Sequence, residues 1–400
     1  MWAEWTIATR FLREGKSQST LILVGIAVGV AVIVFLTALI TGLQENIIER
    51  TLGTQAHIRI VPTEERNIVL PAPAGSTQLV LETRRAQRLR SINNWQQVLG
   101  VLDALGPVTA ASPVISGPAF ARRGEAIESV ALVGIDAERY QRIIPISEDI
   151  VAGRFRIGAG DTVIGSQLAA DLGLGVGDKL RLDGGQGRET VVNVAGIFEL
   201  GVRELDARYV YLDMKQAQSL LDLPGAATVI DVTVDDIFAA EAVAGRIARL
   251  TGVKAESWME TNAQLMNALR SQSLSTQMIS VFVALSVALG IASVLSVSVV
   301  QRTREIGILR AMGTTRAQML RVFLVQGGLF GLAGSVVGAL AGYGLVGAFN
   351  TFGPKLFFIP VNPWLPVFAA LLATVTGIVA AAVPARRASR LDPVEAIRHV

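Results

Sequence analysis

Long uncharged stretches alternate with short charged ones along this chain. No Asp, Glu, Lys or Arg occurs between Lys16 and Glu45, between Arg270 and Arg302, between Arg321 and Lys355, or between Lys355 and Arg386. Each stretch exceeds the ~20 apolar residues that carry a helix across a bilayer. Helices of soluble cores rarely stay uncharged for so long, because one face normally meets water. The pattern predicts four transmembrane helices, at 17–44, 271–301, 322–349 and 363–385. The first is longer than the ~7–15 apolar residues of a cleaved signal, so it reads as a retained anchor.

Residues 45–270 follow a different rhythm of short alternating runs and amphipathic segments. His57–Val61, Val108–Ile115, Ala126–Gly134, Thr228–Val234 and Val253–Trp258 read as strands, and Trp95–Leu105 and Ile237–Leu250 as helices. They form two β-α-β pieces flanking a Gly-rich, mostly β lobe at about 136–226, marked by alternations such as Lys179-Leu-Arg-Leu and Thr190-Val-Val-Asn-Val. Asn67–Gln78, with two prolines and several small residues, reads as an exposed connector. The predicted fold class is an integral membrane α-helical protein: four transmembrane helices, with a large α+β extracytoplasmic domain inserted between the first and second.

Charge then orients the chain. The net charge of +3 conceals an asymmetry. The loop 302–321 carries Arg302, Arg304, Arg310, Arg316 and Arg321, and the tail 386–400 carries Arg386, Arg387, Arg390 and Arg398. Arg10, Arg13 and Lys16 precede the first span, whereas the loop 350–362 has only Lys355. Short loops rich in Lys and Arg stay inside. Both termini and 302–321 are therefore expected in the cytoplasm, with 45–270 and 350–362 outside. The basic residues report topology, so nucleic-acid binding is not needed to explain them. In 1–16, Trp2, Trp5, Ile7, Ala8, Phe11 and Leu12 gather on one side of a helix, as expected of an amphipathic helix in the membrane interface.

The spans contain no ionisable residue, which argues against an ion channel or proton-coupled transporter. They do contain spaced glycines: Gly25 and Gly29 in the first, and Gly327, Gly331, Gly334, Gly338 and Gly342 in the third. Small residues at this spacing let helix backbones approach closely, so these positions are predicted to pack helices. No G-x-x-x-x-G-K-[ST] motif is present. Gly173, Gly175 and Gly177 precede a strand and read as a turn. With no Cys, and with His57 and His399 on opposite sides of the membrane, neither a zinc site nor a catalytic constellation is expected. The chain is read as a non-enzyme that carries no metal or cofactor itself.

The basic loop 302–321 also holds an apolar set, Ile306, Ile308, Leu309 and Met312, with Gly307 and Gly313 able to permit a close approach or a turn. Its segment Val300-Gln-Arg-Thr-Arg-Glu-Ile-Gly-Ile-Leu-Arg-Ala-Met-Gly313 resembles the cytoplasmic coupling segment of the four-span ABC transporter permeases related to MacB, LolC, LolE and FtsX. Pro384–Arg398 (PARRASRLDPVEAIR) is similar to that family's C-terminal signature. TVIGSQLAADLGLGVGDKLRL, VAGIFELGVRELDARYVYLDMKQAQSLL, GIAVGV and LGTQAHIRI resemble the lipoprotein-release branch. MacB-type exporters carry an ATPase domain on the same chain, and these 400 residues have none. In LolC a long hairpin captures the lipoprotein carrier. Here the corresponding link is only Asp183-Gly-Gly-Gln-Gly-Arg-Glu-Thr190, which weakens the case for carrier capture by this chain.

The resemblance implies a bacterial inner-membrane permease that works with a separate P-loop ATPase dimer, which holds ATP and Mg, and with a second permease chain, identical or paralogous. A periplasmic carrier or membrane-fusion protein is a further implied partner, along with membrane lipids. The implied ATPase-coupling residues are Arg302, Arg304, Glu305, Ile306, Gly307, Ile308, Leu309, Arg310, Ala311, Met312 and Gly313. In that picture Ile306, Ile308, Leu309 and Met312 supply the apolar contact, while Arg302, Arg304 and Arg310 pair with acidic residues or lipid phosphates. The helices at 45–52 and 259–276 pass the motion outward. Two functions are compatible with this: export or extraction of a hydrophobic or lipidated substrate such as a lipoprotein, and FtsX-like signalling to an outer hydrolase. A neighbouring membrane-fusion gene would favour the first, and a neighbouring hydrolase gene the second.

Overall fold

A computed structural model describes residues 2–14, 16–63, 89–185, 187–354, 357–360 and 362–391. The expectations for Asn67–Gln78, Lys355, Arg398 and His399 lie outside the described residues. The chain divides into two compact units: residues 1–48 with 267–400, and residues 49–266.

The first unit contains four long apolar helices: Lys16–Leu52, Ala263–Gln301, Arg316–Phe352 and Leu365–Ser389. A shorter helix, Trp2–Glu14, precedes them. The 37 residues of the first span extend about 55 Å at ~1.5 Å per residue, well beyond a ~30 Å hydrocarbon core. A capping box starts the third span: the Gln318 amide N–H donates to Thr315 Oγ1 at 3.3 Å, and the Thr315 amide N–H donates to Gln318 Oε1 at 2.8 Å.

The third span is the centre of this unit, and its glycines explain why. A methyl group at Gly327 would stand 2.5 Å from the Gly377 carbonyl oxygen, and one at Gly331 would stand 2.6 Å from that of Ala373. Those two glycines admit the fourth span. Gly334, Gly338 and Gly342 admit the first: a methyl at Gly338 would lie 2.5 Å from the Ala27 carbonyl oxygen. Ile22, Ile26, Val30 and Val34 of the first span then close over Phe330, Ala369 and Ala373. Gly29 lets the second span approach, since its added methyl would meet Val287 at 2.6 Å. Gly25 corrects the sequence expectation. Nothing lies within 4 Å of its open side, so it packs no helix within this chain.

Among the described residues of the second unit, strands β1 (Ile58–Val61), β2 (Val108–Arg123), β3 (Ala126–Ile135), β4 (Ile150–Gly153), β5 (Asp161–Gly165), β6 (Lys179–Asp183), β7 (Glu189–Phe198), β8 (Tyr209–Asp213), β9 (Val229–Val234) and β10 (Lys254–Ser257) form a single ten-stranded sheet. One part runs β10-β1-β9-β2, antiparallel throughout. With helices Trp95–Asp103 and Ala240–Thr251 as its crossovers, it is a pair of interleaved split β-α-β units. The other part closes on itself in the order β2-β3-β8-β5-β7-β6-β2, making a barrel. Leu132, Ile164, Leu180, Leu182, Val192 and Val210 fill its interior. Strict alternation on β6 and β7 sends Leu180, Leu182, Val192 and Val194 inward and leaves Lys179, Arg181 and Val191 outside.

The boundary between these parts falls earlier than the expected start of the lobe near 136: the strand expected to end at Ile115 runs on as β2 to Arg123 and helps build both parts. Up to Val114 its neighbour is β9, and from Phe120 it is β6. Gly117 and Pro118 look like strand breakers, yet Gly117 sits inside the strand beneath two leucine side chains. A methyl at that position would meet Leu89 Cδ1 at 2.7 Å and Leu221 Cδ2 at 2.9 Å.

Candidate ATPase-coupling face

Between the second and third spans the chain forms a short helix, Thr303–Ala311, and leaves it through Gly313. The φ of +98° at Gly313 is one that residues with a Cβ rarely adopt, so glycine is needed for this turn. The helix has two faces. Ile306 is fully buried and Gly307 is buried beside it. Ile306 packs with Val299, Met319, Val322, Phe323, Ala385 and Ala388, and with Ala8 of the N-terminal helix, while Leu309 lies partly buried on the same cluster. On the opposite face Arg304 and Ala311 are exposed, Ile308 is 45% exposed and Met312 79% exposed.

This splits the expected four-residue contact surface. Ile306 and Leu309 hold the helix to its own chain, and only Ile308 and Met312 remain to meet a partner. The periodicity already contained this division: Ile306, Leu309 and Arg310 share one helical face, while Arg304, Ile308 and Met312 fall four apart on another.

The arginines divide in the same way. Arg310 Nη1 donates to the Ser389 carbonyl oxygen at 3.2 Å and also to the Leu391 carbonyl oxygen. Its partners are therefore backbone acceptors of the same chain, which replaces the expected pairing with acidic residues or lipid phosphates. Arg302 lies 3.9 Å from Glu305, one turn along. Arg304 and Arg316 are exposed. At the end of the loop, Arg321 reaches Glu4 of the N-terminal helix at 3.5 Å. That helix buries Glu4 and Ala8, whereas Trp5 is 55% exposed. Trp5 and Ala8, read together on one side in the sequence, thus face different surroundings.

The first and second spans also enclose an open-sided apolar slot of about 700 Å³, lined by Leu21, Gly25, Val28, Phe282, Ser286 and Gly290 among others. On either side of it the two spans are joined, where Gln18 Nε2 donates to Gln301 Oε1 at 2.6 Å and, well beyond the lining residues, where Gln44 Nε2 donates to the Leu269 carbonyl oxygen at 3.4 Å. This is where Gly25 goes: it lines the slot. The slot is invisible in the sequence because hydropathy does not show which apolar faces are left uncovered. Gln326 in the third span, 3% exposed, is equally inconspicuous there, yet its Oε1 is buried without a hydrogen bond.

Comparison with known proteins agrees with this architecture. Residues 19–250 match the MacB-like periplasmic core domain, and residues 277–393 match the FtsX-like permease C-terminal domain. The lipoprotein-releasing system transmembrane protein LolC of Xylella fastidiosa is 26% identical, over 98% of both chains. LolE of Haemophilus influenzae is 24% identical over the same shares. The macrolide export ATP-binding/permease protein MacB of Burkholderia cenocepacia is 35% identical, over 32% of this chain and 19% of its own length. Four apolar spans, a large sheet domain of the MacB-like type and the FtsX-like terminal region together show that this chain belongs to the MacB/FtsX superfamily of ABC transporter permeases, in its lipoprotein-release-like branch, and is a protein of the bacterial inner membrane.

Proposed function

We propose that this permease passes the motion of a separate ATPase dimer to an outer domain that extracts or exports a hydrophobic or lipidated substrate such as a lipoprotein. The observation that carries this reading is the two-faced coupling helix. Ile306 and Leu309 lock it into the membrane unit, while Ile308 and Met312 stay bare beside Arg304. An apolar pair bordered by cations suits a groove with acidic margins on an ATPase. ATP and Mg would sit on that partner, since this chain has no P-loop.

The basic loop and both termini would face the cytoplasm, by the positive-inside rule. Residues 49–266, between the first and second spans, would then face outward. A second permease chain would complete the complex. The slot between the first and second spans supports a lipid-like cargo, because it is apolar, open on one side and about 700 Å³ in volume.

The test is copurification of the ATPase from native membranes. Ile308→Asp and Met312→Asp should each abolish ATPase retention without loss of the inserted chain. Ile306→Asp should instead reduce the amount of inserted chain, because it places a carboxylate in the cluster at Ala385 and Phe323. Full retention of the ATPase by both outward variants would overturn the coupling assignment. For the cargo, a photo-reactive residue at Val28 or Ser286 should capture lipidated protein, and capture of phospholipid alone would remove the extraction reading.

A further inference from the structure

We infer that Arg310 is a positioning residue that fastens the coupling helix to the inner end of the fourth span, so that the two move as one piece. The inference builds on the reading of Thr303–Ala311 as the ATPase-facing helix. A helix leaves its last carbonyls without intrahelical donors, and partial negative charge gathers there. The fourth span ends in this way at Ser389. Arg310 Nη1 donates to the Ser389 carbonyl oxygen at 3.2 Å and to the Leu391 carbonyl oxygen just beyond it. A cation from another helix thus caps the fourth span where capping is electrostatically most favourable.

The apolar contacts reinforce the same link. Ile306 and Leu309, on the Arg310 side of the coupling helix, pack with Ala385, Ala388 and Leu391. The covalent chain already joins the coupling helix to the second and third spans. Without Arg310 the fourth span would follow only through these non-directional apolar contacts and its packing on Gly327 and Gly331 deeper in the bundle. With it, a push on Ile308 and Met312 reaches the fourth span at the membrane's inner edge. The exposed face docks and the buried face transmits, and Arg310 belongs to the second. Both bonds come from one nitrogen, so lysine keeps the charge and enough donors but carries them on a more flexible stem of different reach, and it should restore only part of this link.

The chain contains no cysteine, which permits site-specific labelling without background. Spin labels on cysteines placed at Thr314, whose amide N–H donates to the Leu309 carbonyl oxygen of the coupling helix away from its docking face, and at the exposed Arg387 report the separation of the two elements in the full permease–ATPase complex. The unaltered link should give one distance population that persists when the ATPase is trapped with ATP and vanadate. Arg310→Gln should broaden or split that population and lower permease-dependent ATPase stimulation about ten-fold, while leaving ATPase copurification intact. Arg310→Lys should fall between. An unchanged distance population with unchanged stimulation in Arg310→Gln would overturn the proposal. So would a shift of the unaltered population on trapping, and that measurement decides the matter even if Arg310→Gln fails to accumulate. The same distance measured in the permease without ATPase separates this inference from the docking reading: retention of ATPase by Ile308→Asp sinks docking alone.

Discussion

The second and third spans are similar in length, at 39 and 37 residues, yet they sit in the bundle very differently. In its most apolar stretch the second has a mean hydropathy of 2.5 and is 11% buried, while the third has 1.8 and is 44% buried. The less hydrophobic helix is the better buried one. In water that order would be perverse. In lipid it follows from the absence of any hydrophobic drive between helices: association depends on close packing, and glycine lowers hydropathy while permitting it. The second span keeps Phe282, Leu285 and Leu289 exposed within this chain, and the bundle is built around the third.

The largest effect that could break this comparison is a side chain forced into the third span. Gly331→Leu and Gly338→Leu should each destabilise the bundle by about 3 kcal/mol or more, read as unfolding of the full chain in detergent. Gly290→Leu on the second span, where nothing lies within 4 Å, is the matched control and should leave the transition in place. Equal losses at all three would end the contrast.

The outer unit provides the reference case in which burial is driven by water. There Arg59 Nε lies 3.1 Å from Asp231, whose side chain is 1% exposed. Burial raises the Asp231 pKa and the Arg59 charge opposes that shift. Arg59→Met leaves a buried carboxylate unpaired and should cost the outer unit about 3 kcal/mol, visible as faster hydrogen exchange in β1 and β9 with the spans unaffected.

A smaller effect sharpens the membrane side. Gln326→Leu removes a buried acceptor without a hydrogen bond and should stabilise the bundle by about 1 kcal/mol. A loss instead would assign Gln326 a polar partner in the working complex. The smallest effect sets the conditions for the whole comparison. Burial lowers the His57 pKa below its ordinary value of 6.5. The folded state therefore holds the proton less readily than the unfolded one. The stability this gives the outer unit is complete above pH 6.5 and is lost as pH falls from there towards the folded pKa. His57→Gln should flatten that acid-side slope in a pH series of outer-unit hydrogen exchange.

Some of the architecture was legible in residue order and some was not. The charge-free stretches mark the four apolar helices, because a helix in lipid must satisfy its backbone internally and present apolar side chains all round. Short apolar runs bounded by turn signals placed β1, β3, β9 and β10 to within a residue or so. The continuation of β2 past Gly117 was hidden, because a glycine that packs beneath Leu89 and Leu221 looks the same in sequence as one that ends a strand. Barrel closure was hidden too. It depends on β6 meeting β2, a pairing between distant segments that no local pattern encodes.

The coupling face shows where that division falls. The sequence by itself determined that residues 302–321 are basic, helical in part and flanked by apolar spans, because charge and periodicity are properties of residue order. The tertiary structure decided that Ile306 and Arg310 turn inward while Ile308 and Met312 turn outward. It also decided that Gly338 packs a helix while Gly25 lines a slot. Two residues of the same type become different only through what lies against them, and that is fixed by distant parts of the chain: Ala385 and Ser389 behind the coupling helix, Ala27 behind Gly338, and open space beside Gly25.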